Sequence, residues 1–424
     1  MLYVEQEKSL EIETLRGLAC LLLVLYHVIG PLGGGLKIDL GSPFRVIADS
    51  MVYVRMPLFT FISGYIYSIY KIRGNDFSAF FSGKVRRLIV PLFCVGVPFS
   101  VLQAVGPGVN KDVGVIDALL SFWVPVNHFW FLQAVFIIFM FVGLLEWRGM
   151  LRSMTRLYLL FAFAAALFLL PPFKLDAFGI NGAIYLLPFF VAGMIGQENV
   201  EALKQRFKVI GPLVFVLISL TLLYVAAIDR ELIVDRRSLI GLTVGCVSCI
   251  ALLSSDMRSK WLTWLGGYSY AIFLFHVLFA ATSRFVMGRL GVKDESILVL
   301  SGLLFGLLGP VVLSMIFSRF NVTSVLFLGE RAAKKNRRRV LLRWCRPVAE
   351  KLREQGSLEL TISVGAGLPA MGPDQMKFMR LTHRHRWQAS SHRVWVYKDL
   401  ADDLNRCSRR GHSRLKEIMH VGSK

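Results

Sequence analysis

The chain has 424 residues, 55% hydrophobic and 18% charged, with a mean hydropathy of +0.56 and thirty-two phenylalanines. Such a balance excludes a soluble globular domain and defines a polytopic membrane protein. The net charge of +21 is uneven: residues 330–424 hold twenty-two Lys and Arg against nine Asp and Glu, so most of the basic excess lies in a C-terminal tail.

Met1 to Glu13 is polar and mixed in charge, and the apolar run that follows carries no small-residue cleavage site. No signal peptide is therefore expected and the first helix stays in the mature chain. Apolar runs of about 15 to 24 residues, set against a hydrocarbon core that needs about 20, predict ten spans. Their centres fall near Leu22, Phe61, Gly96, Ile138, Phe163, Phe190, Val216, Gly245, Phe275 and Leu308. The expected fold is an all-α integral membrane bundle of about ten transmembrane helices. With the N-terminus inside, the connections assigned to the cytoplasm, together with residues 331–346, carry twenty-one Lys and Arg against nine on the other face. Positive charge concentrates on the cytoplasmic side of membrane proteins, so both termini are placed there. Pro188 interrupts the sixth span, and Arg55, Met56 and Pro57 open the second, whose outer end is expected to bend.

The first span, read Glu13 to His27 as ETLRGLACLLLVLYH, carries an arginine at its start and a histidine well inside. Eleven residues on an α-helix rise about 16 Å and turn about 1100°, so Arg16 and His27 share one face, one at a membrane surface and one at depth. An ionisable side chain at depth persists mainly where it meets a partner or a watery cavity, which makes the pair a site hypothesis. The blander alternatives are a histidine hydrogen-bonded to a neighbouring helix and an arginine reaching to the interface. Three histidines lie in the membrane body: His27, His128 in NHFWFLQ and His276 in GYSYAIFLFH. Trp130 and Phe131 read by default as an interfacial aromatic belt, and Ser63 and Gly64 as small-residue helix packing.

Of six cysteines, Cys20, Cys94, Cys246 and Cys249 fall in predicted helices. The CxxC at Cys246 and Cys249 has no second pair or histidine beside it, so packing is expected there, with no disulfide framework and no metal. The body, 1–330, is the membrane domain; 331–424 is a basic, weakly structured cytoplasmic tail whose KKNRRR run fits positive-inside anchoring or anionic headgroups better than nucleic acid.

Taken in order, the motifs ETLRGLACLLLVLYH, MPLFTFISGYIYS, KVRRLIVP, HFWFL and GYSYAIFLFH resemble the membrane-bound acyltransferase-3 family, from about Glu11 to about Arg319. The most specific piece is arginine, ten intervening residues, then histidine: here Arg16 and His27. The resemblance implies ten spans, an acyl thioester such as acetyl-CoA as cytoplasmic co-substrate with no bound cofactor, and an acceptor hydroxyl on a surface or exported polysaccharide or its lipid-linked precursor, in a bacterial inner membrane. It implies that Arg16, Lys84, Arg86 and Arg87 hold the donor phosphates and that His27 acts as general base or transient acyl carrier. Ser63, Tyr65, Trp130 and His276 are the weaker candidates for acceptor or oxyanion contacts. Two departures stand out: Lys84 where many members have arginine, and Arg55 where related sequences often have histidine. A transporter or flippase of lipid-linked sugars, and a membrane scaffold with a recruiting tail, are the rival classes.

Overall fold

The computed structural model describes residues 2–30, 34–70, 76–105, 116, 120–124, 127–174, 176–229, 235–331, 361–362 and 378–380, with backbone alone for 2–9, 105 and the last two stretches. The chain divides into two units, Met1–Ala332 and Ala333–Lys424. In the second, the described backbone is a two-stranded antiparallel ladder, Thr361–Ile362 with Phe378–Arg380. The reading of 331–424 as a weakly structured tail falls almost wholly outside the described residues.

The first unit is helical. Helix α1 (Leu2–Ile29) packs on α3 (Val52–Ile69), α12 (Lys260–Gly266), α13 (Ser269–Arg289) and α14 (Glu295–Phe317), so it runs through the middle of the bundle. Among the described residues seven helices are long and apolar enough to cross a membrane, and α2 (Pro43–Ser50) with α3 makes an eighth if that bent pair is one span. Two shorter apolar helices, α7 (Met154–Leu169) and α11 (Leu239–Ser254), complete the set. Each predicted span centre lies inside a helical segment. The peripheral helix α10 (Ile210–Ile228) turns Leu213, Val216, Leu217, Leu220, Tyr224 and Ile228 outward, and α14 does the same with Leu300, Leu304 and Val312. Apolar surface on that scale is stable against lipid and not against water, which makes this a membrane protein with several transmembrane helices.

The expected bend in the second span exists, but at Met51 instead of Pro57. The axes of α2 and α3 differ by 42° there, Met51 leaves helical geometry (φ −92°, ψ 12°), and Pro57 sits inside continuous helix. The third span, Phe77–Ala104, departs more. After α4 (Phe77–Lys84) the backbone widens into two π-helical turns, Val85–Ile89 and Leu92–Gly96, before α5 (Val97–Val105). Pro91 stands between them; it has no N–H and its ring crowds the carbonyl four residues back, that of Arg87. Helix α8 (Ile180–Glu198) carries Pro188 without breaking and lies against α3. A Cβ on Gly64 would come within 1.9 Å of the Phe190 carbonyl oxygen, and one on Gly193 within 2.0 Å of that of Phe61. Only glycine permits this approach of two backbones.

At one end of the bundle an ionic knot joins three segments. Lys204, on α9 (Val200–Phe207), bonds Glu11 of α1 and Asp256 of the α11–α12 turn at 3.0 Å, and Arg258 reaches Glu11 at 2.9 Å. A hydrogen bond with the Glu11 carboxyl, and then Lys204, hold the Asp256 carboxyl below its ordinary value of 3.8. Burial alone would lower the Lys204 ammonium, but its bonds to Glu11 and Asp256 prevail and raise it above 10.5. A depressed carboxylate stabilises the fold above its unfolded pKa and loses that contribution as pH falls; a raised ammonium does so below its unfolded pKa and loses it as pH rises. The knot should therefore contribute a constant stabilisation between about pH 5 and 9 and a falling one below about pH 4, an acid limb read by thermal unfolding of the detergent-purified protein. Asp256→Asn should cost about 1.5–3 kcal/mol at neutral pH and flatten the acid limb; an unchanged acid limb in thermal unfolding would refute this.

Candidate active site

The three body histidines, placed by three different elements, meet in one spot. His27 comes from the C-terminal end of α1. His276 lies two turns into α13. His128 sits on a 3-10 turn, Asn127–Phe129, that leads into α6 (Trp130–Trp147). That turn needs Asn127 at φ +55°, a left-handed conformation that asparagine tolerates better than most residues. The ring centroids are 4.8 Å apart for His27 and His276, 4.9 Å for His128 and His276, and 5.9 Å for His27 and His128. Phe99, Phe129 and Phe273 wall the group on the His128 side.

Hydrogen bonds orient these rings. His27 places Nδ1 2.9 Å from the Leu23 carbonyl oxygen, and His276 places Nδ1 2.9 and 3.0 Å from those of Ile272 and Phe273. A carbonyl only accepts, so Nδ1 carries the hydrogen in both rings and the lone pair of the neutral imidazole is on Nε2. Nε2 of His128 and of His276 is buried without a partner, whereas His27 keeps some exposed surface. Among the described residues no group of His, Cys, Asp and Glu has the geometry to hold a metal ion.

The continuous helix α1 carries Arg16 on the face of His27, as the spacing predicts. The face between them is closed: Cys20 is fully buried, and Leu23 is 1% exposed in the same apolar cluster as Leu92, Phe129 and Phe131. Arg16 itself pairs with Glu13 at 2.5 Å. The other candidate donor-binding cations lie along the widened third span. Lys84 puts its ammonium 3.3 Å from the centre of the Phe139 ring. Arg86 donates through Nε to the Gly329 carbonyl at 3.2 Å, where α15 (Asn321–Leu328) ends beside Arg331. Arg87 lies over the Tyr270 ring at 5.8 Å. Among the described residues no hydrogen bond, ion pair or ring contact joins Arg16 to these three.

Two motifs that are far apart in sequence explain each other here. The Arg87 carbonyl, whose helical partner would be the missing N–H of Pro91, accepts from the Tyr270 hydroxyl of the GYSY segment. The weaker candidates separate. His276 touches His27. The Ser63 hydroxyl is spent on the Phe59 carbonyl at 2.9 Å. Tyr65 is buried with Ile12 and Leu15, about four turns down α1 from His27. Trp130 packs its ring against Gly182 of α8.

The residues mark Arg55 as a departure from the family pattern but give it no place in the site. This side chain is 3% exposed, lies 3.4 Å above the centre of the Tyr26 ring, and leaves Nε and Nη1 without acceptors. Tyr26 stands edge-on to His27 at 5.3 Å, and its hydroxyl accepts from Arg236 at 3.3 Å. A ring-face contact contributes about 2 kcal/mol when desolvated, against several kcal/mol for burying an unpaired ion. The only signal in the sequence was a cation just before MPLF.

Residues 9–319 match the family model described as an acyltransferase domain, that of acyltransferase 3. The chain belongs to the acyltransferase-3 family and is a membrane acyltransferase. No curated protein and no solved structure gives a match.

Tyr270→Phe leaves the Arg87 carbonyl without its donor. The expected cost is about 1 kcal/mol of stability, read as a lower unfolding temperature of the detergent-purified protein. An unchanged unfolding temperature would show that the Arg87 carbonyl does not depend on the Tyr270 hydroxyl.

Proposed function

We propose that this enzyme is an O-acyltransferase that moves an acyl group, acetyl in the simplest case, from a cytoplasmic acyl-CoA to a hydroxyl of a surface or exported polysaccharide or of its lipid-linked precursor. The observation that carries the reading is the orientation of His27: its Nδ1 hydrogen is held by Leu23 and its Nε2 lone pair is free for a proton. As the acceptor oxygen bonds to the thioester carbonyl carbon, Nε2 takes the hydroxyl proton; the tetrahedral oxyanion then collapses, the C–S bond breaks, and the proton passes to the departing CoA thiolate. His128 and His276, whose Nε2 atoms lack partners, accept hydrogen bonds from neighbouring acceptor hydroxyls.

Ten spans with both termini in the cytoplasm put Arg16, Lys84, Arg86 and Arg87 at the inner surface of the plasma membrane, a bacterial inner membrane in this reading. Arginine there suits phosphate through its planar fork, and Lys84 supplies charge alone. Tyr65 and Trp130 are not retained as oxyanion contacts, because one packs near the inner end of α1 and the other on Gly182. Ser63 is not retained either, its hydroxyl being engaged. Since Cys20 and Leu23 close the shared face of α1, donor binding has to part those side chains from the third span for the thioester to reach His27.

His27→Ala is expected to lower acyl transfer by at least about 10²-fold while the protein stays inserted. Transfer assayed in vesicles with acetyl-CoA on one side checks this, and full activity would remove His27 as the base. Arg16→Ala is expected to raise the KM for acetyl-CoA about tenfold with kcat less affected; an unchanged KM would place the phosphates elsewhere.

A further inference from the structure

The outer side of the histidine group holds more positive charge than acyl transfer to a neutral sugar requires. Arg55 is buried beside Tyr26 with Nε and Nη1 unpartnered, and Arg236, half-exposed at the start of α11, donates to the same tyrosine hydroxyl. Two guanidinium groups thus converge on one phenol, and among the described residues no carboxylate pairs with either. The groups that act on Arg55 are Tyr26, Arg236 and Tyr185, the last being a buried α8 side chain that also feels Arg236. The nearby acids are otherwise occupied: Asp235 caps the backbone N–H of Arg237, and Asp49 pairs with Arg45 at 3.0 Å. The ring-face contact with Tyr26 offsets only part of the cost of burying Arg55, and a structural cation at this depth would ordinarily have an acidic partner. The contacts run in series from Arg236 to Tyr26 with Arg55 and on to His27.

We propose that Arg55 and Arg236 bind an anionic oxygen group, a carboxylate or a phosphate, on the acceptor molecule, and so select acidic acceptors and set the hydroxyl presented to His27. This rests on the acyl-transfer reading above. Oxygen anions match the donor geometry of guanidinium, which takes them through several N–H groups at once, whereas a neutral hydroxyl offers little compensation for the desolvated Arg55. Arg55 and Arg236 are specificity-determining residues in this account, and proton transfer stays with His27.

The test uses the full chain in nanodiscs and three probes: glucuronate, glucose 6-phosphate and glucose. Binding is titrated without acyl donor, and acyl transfer from acetyl-CoA is followed separately by release of CoA thiol. The native chain and the His27→Ala variant should both bind at least one anionic probe at least tenfold more tightly than glucose; which of the two wins identifies the group as carboxylate or phosphate. Arg55→Gln should abolish that preference and Arg55→Lys retain part of it. Arg236→Gln, at a half-exposed position that tolerates substitution better, should reduce the preference several-fold even if Arg55→Gln fails to fold. The proposal is overturned if the native chain binds neither anion more tightly than glucose, or if the preference survives both glutamine variants. It is also overturned if Arg55→Gln slows transfer to all three probes equally while leaving binding unchanged, which would put Arg55 on the developing oxyanion. Anion preference without any acyl transfer would defeat the proposed function and leave the anion site standing; transfer without preference would do the reverse.

Discussion

The hydrogen bond from the His27 ring to the Leu23 carbonyl, 2.9 Å within α1, is the interaction on which the chemistry proposed for this membrane acyltransferase depends. It uses the Nδ1 hydrogen inside the helix that carries the residue, so the lone pair on Nε2 faces away from the α1 backbone. His276 repeats the arrangement on α13. Two imidazoles oriented by their own helices, with His128 brought in by a short turn, give a polar spot inside an apolar bundle.

The supports of that spot lie elsewhere in the bundle. Gly64 and Gly193 let α3 and α8 approach until backbone meets backbone, which holds the helix bearing Arg55 against the one bearing Tyr185. Pro91 opens the third span into π turns, and the Arg87 carbonyl it frees is taken by Tyr270, so the cations of the third span are tied to the helix that carries His276. An ionic knot of Glu11, Lys204, Asp256 and Arg258 anchors the other end of α1. Arginine is distributed with opposite consequences at the two ends: Arg86 and Arg87 find carbonyl or ring partners, while Arg55 is buried with two nitrogens unsatisfied.

Much of this was legible in the residues. Helical spacing alone puts Arg16 and His27 on one face, and an α-helix that stays continuous keeps them there. The three histidines could be counted in the sequence, but their meeting could not, because side chains 101 and 148 residues apart come together only through helix packing that no local pattern encodes. Tyr65 shows the converse: it sits two residues from Ser63, yet it packs against the N-terminal half of α1 with Ile12 and Leu15. The bend of the second span falls at Met51 and not at Pro57, where the helix runs on although the Tyr53 carbonyl loses its helical donor, because packing against neighbouring helices holds that turn.

By itself the sequence determined that the chain lives in a bilayer, which segments are apolar enough to cross it, and that one helix carries a cation and an imidazole three turns apart. Those properties follow from composition and from the fixed rise and turn of the α-helix. Tertiary structure alone decided that three histidines share one spot, that the route along α1 is closed at Cys20 and Leu23, and that Arg55 lies unpaired above Tyr26. These depend on which helices are neighbours, a matter of side-chain volume and close backbone approach over distances that hydropathy and spacing do not reach.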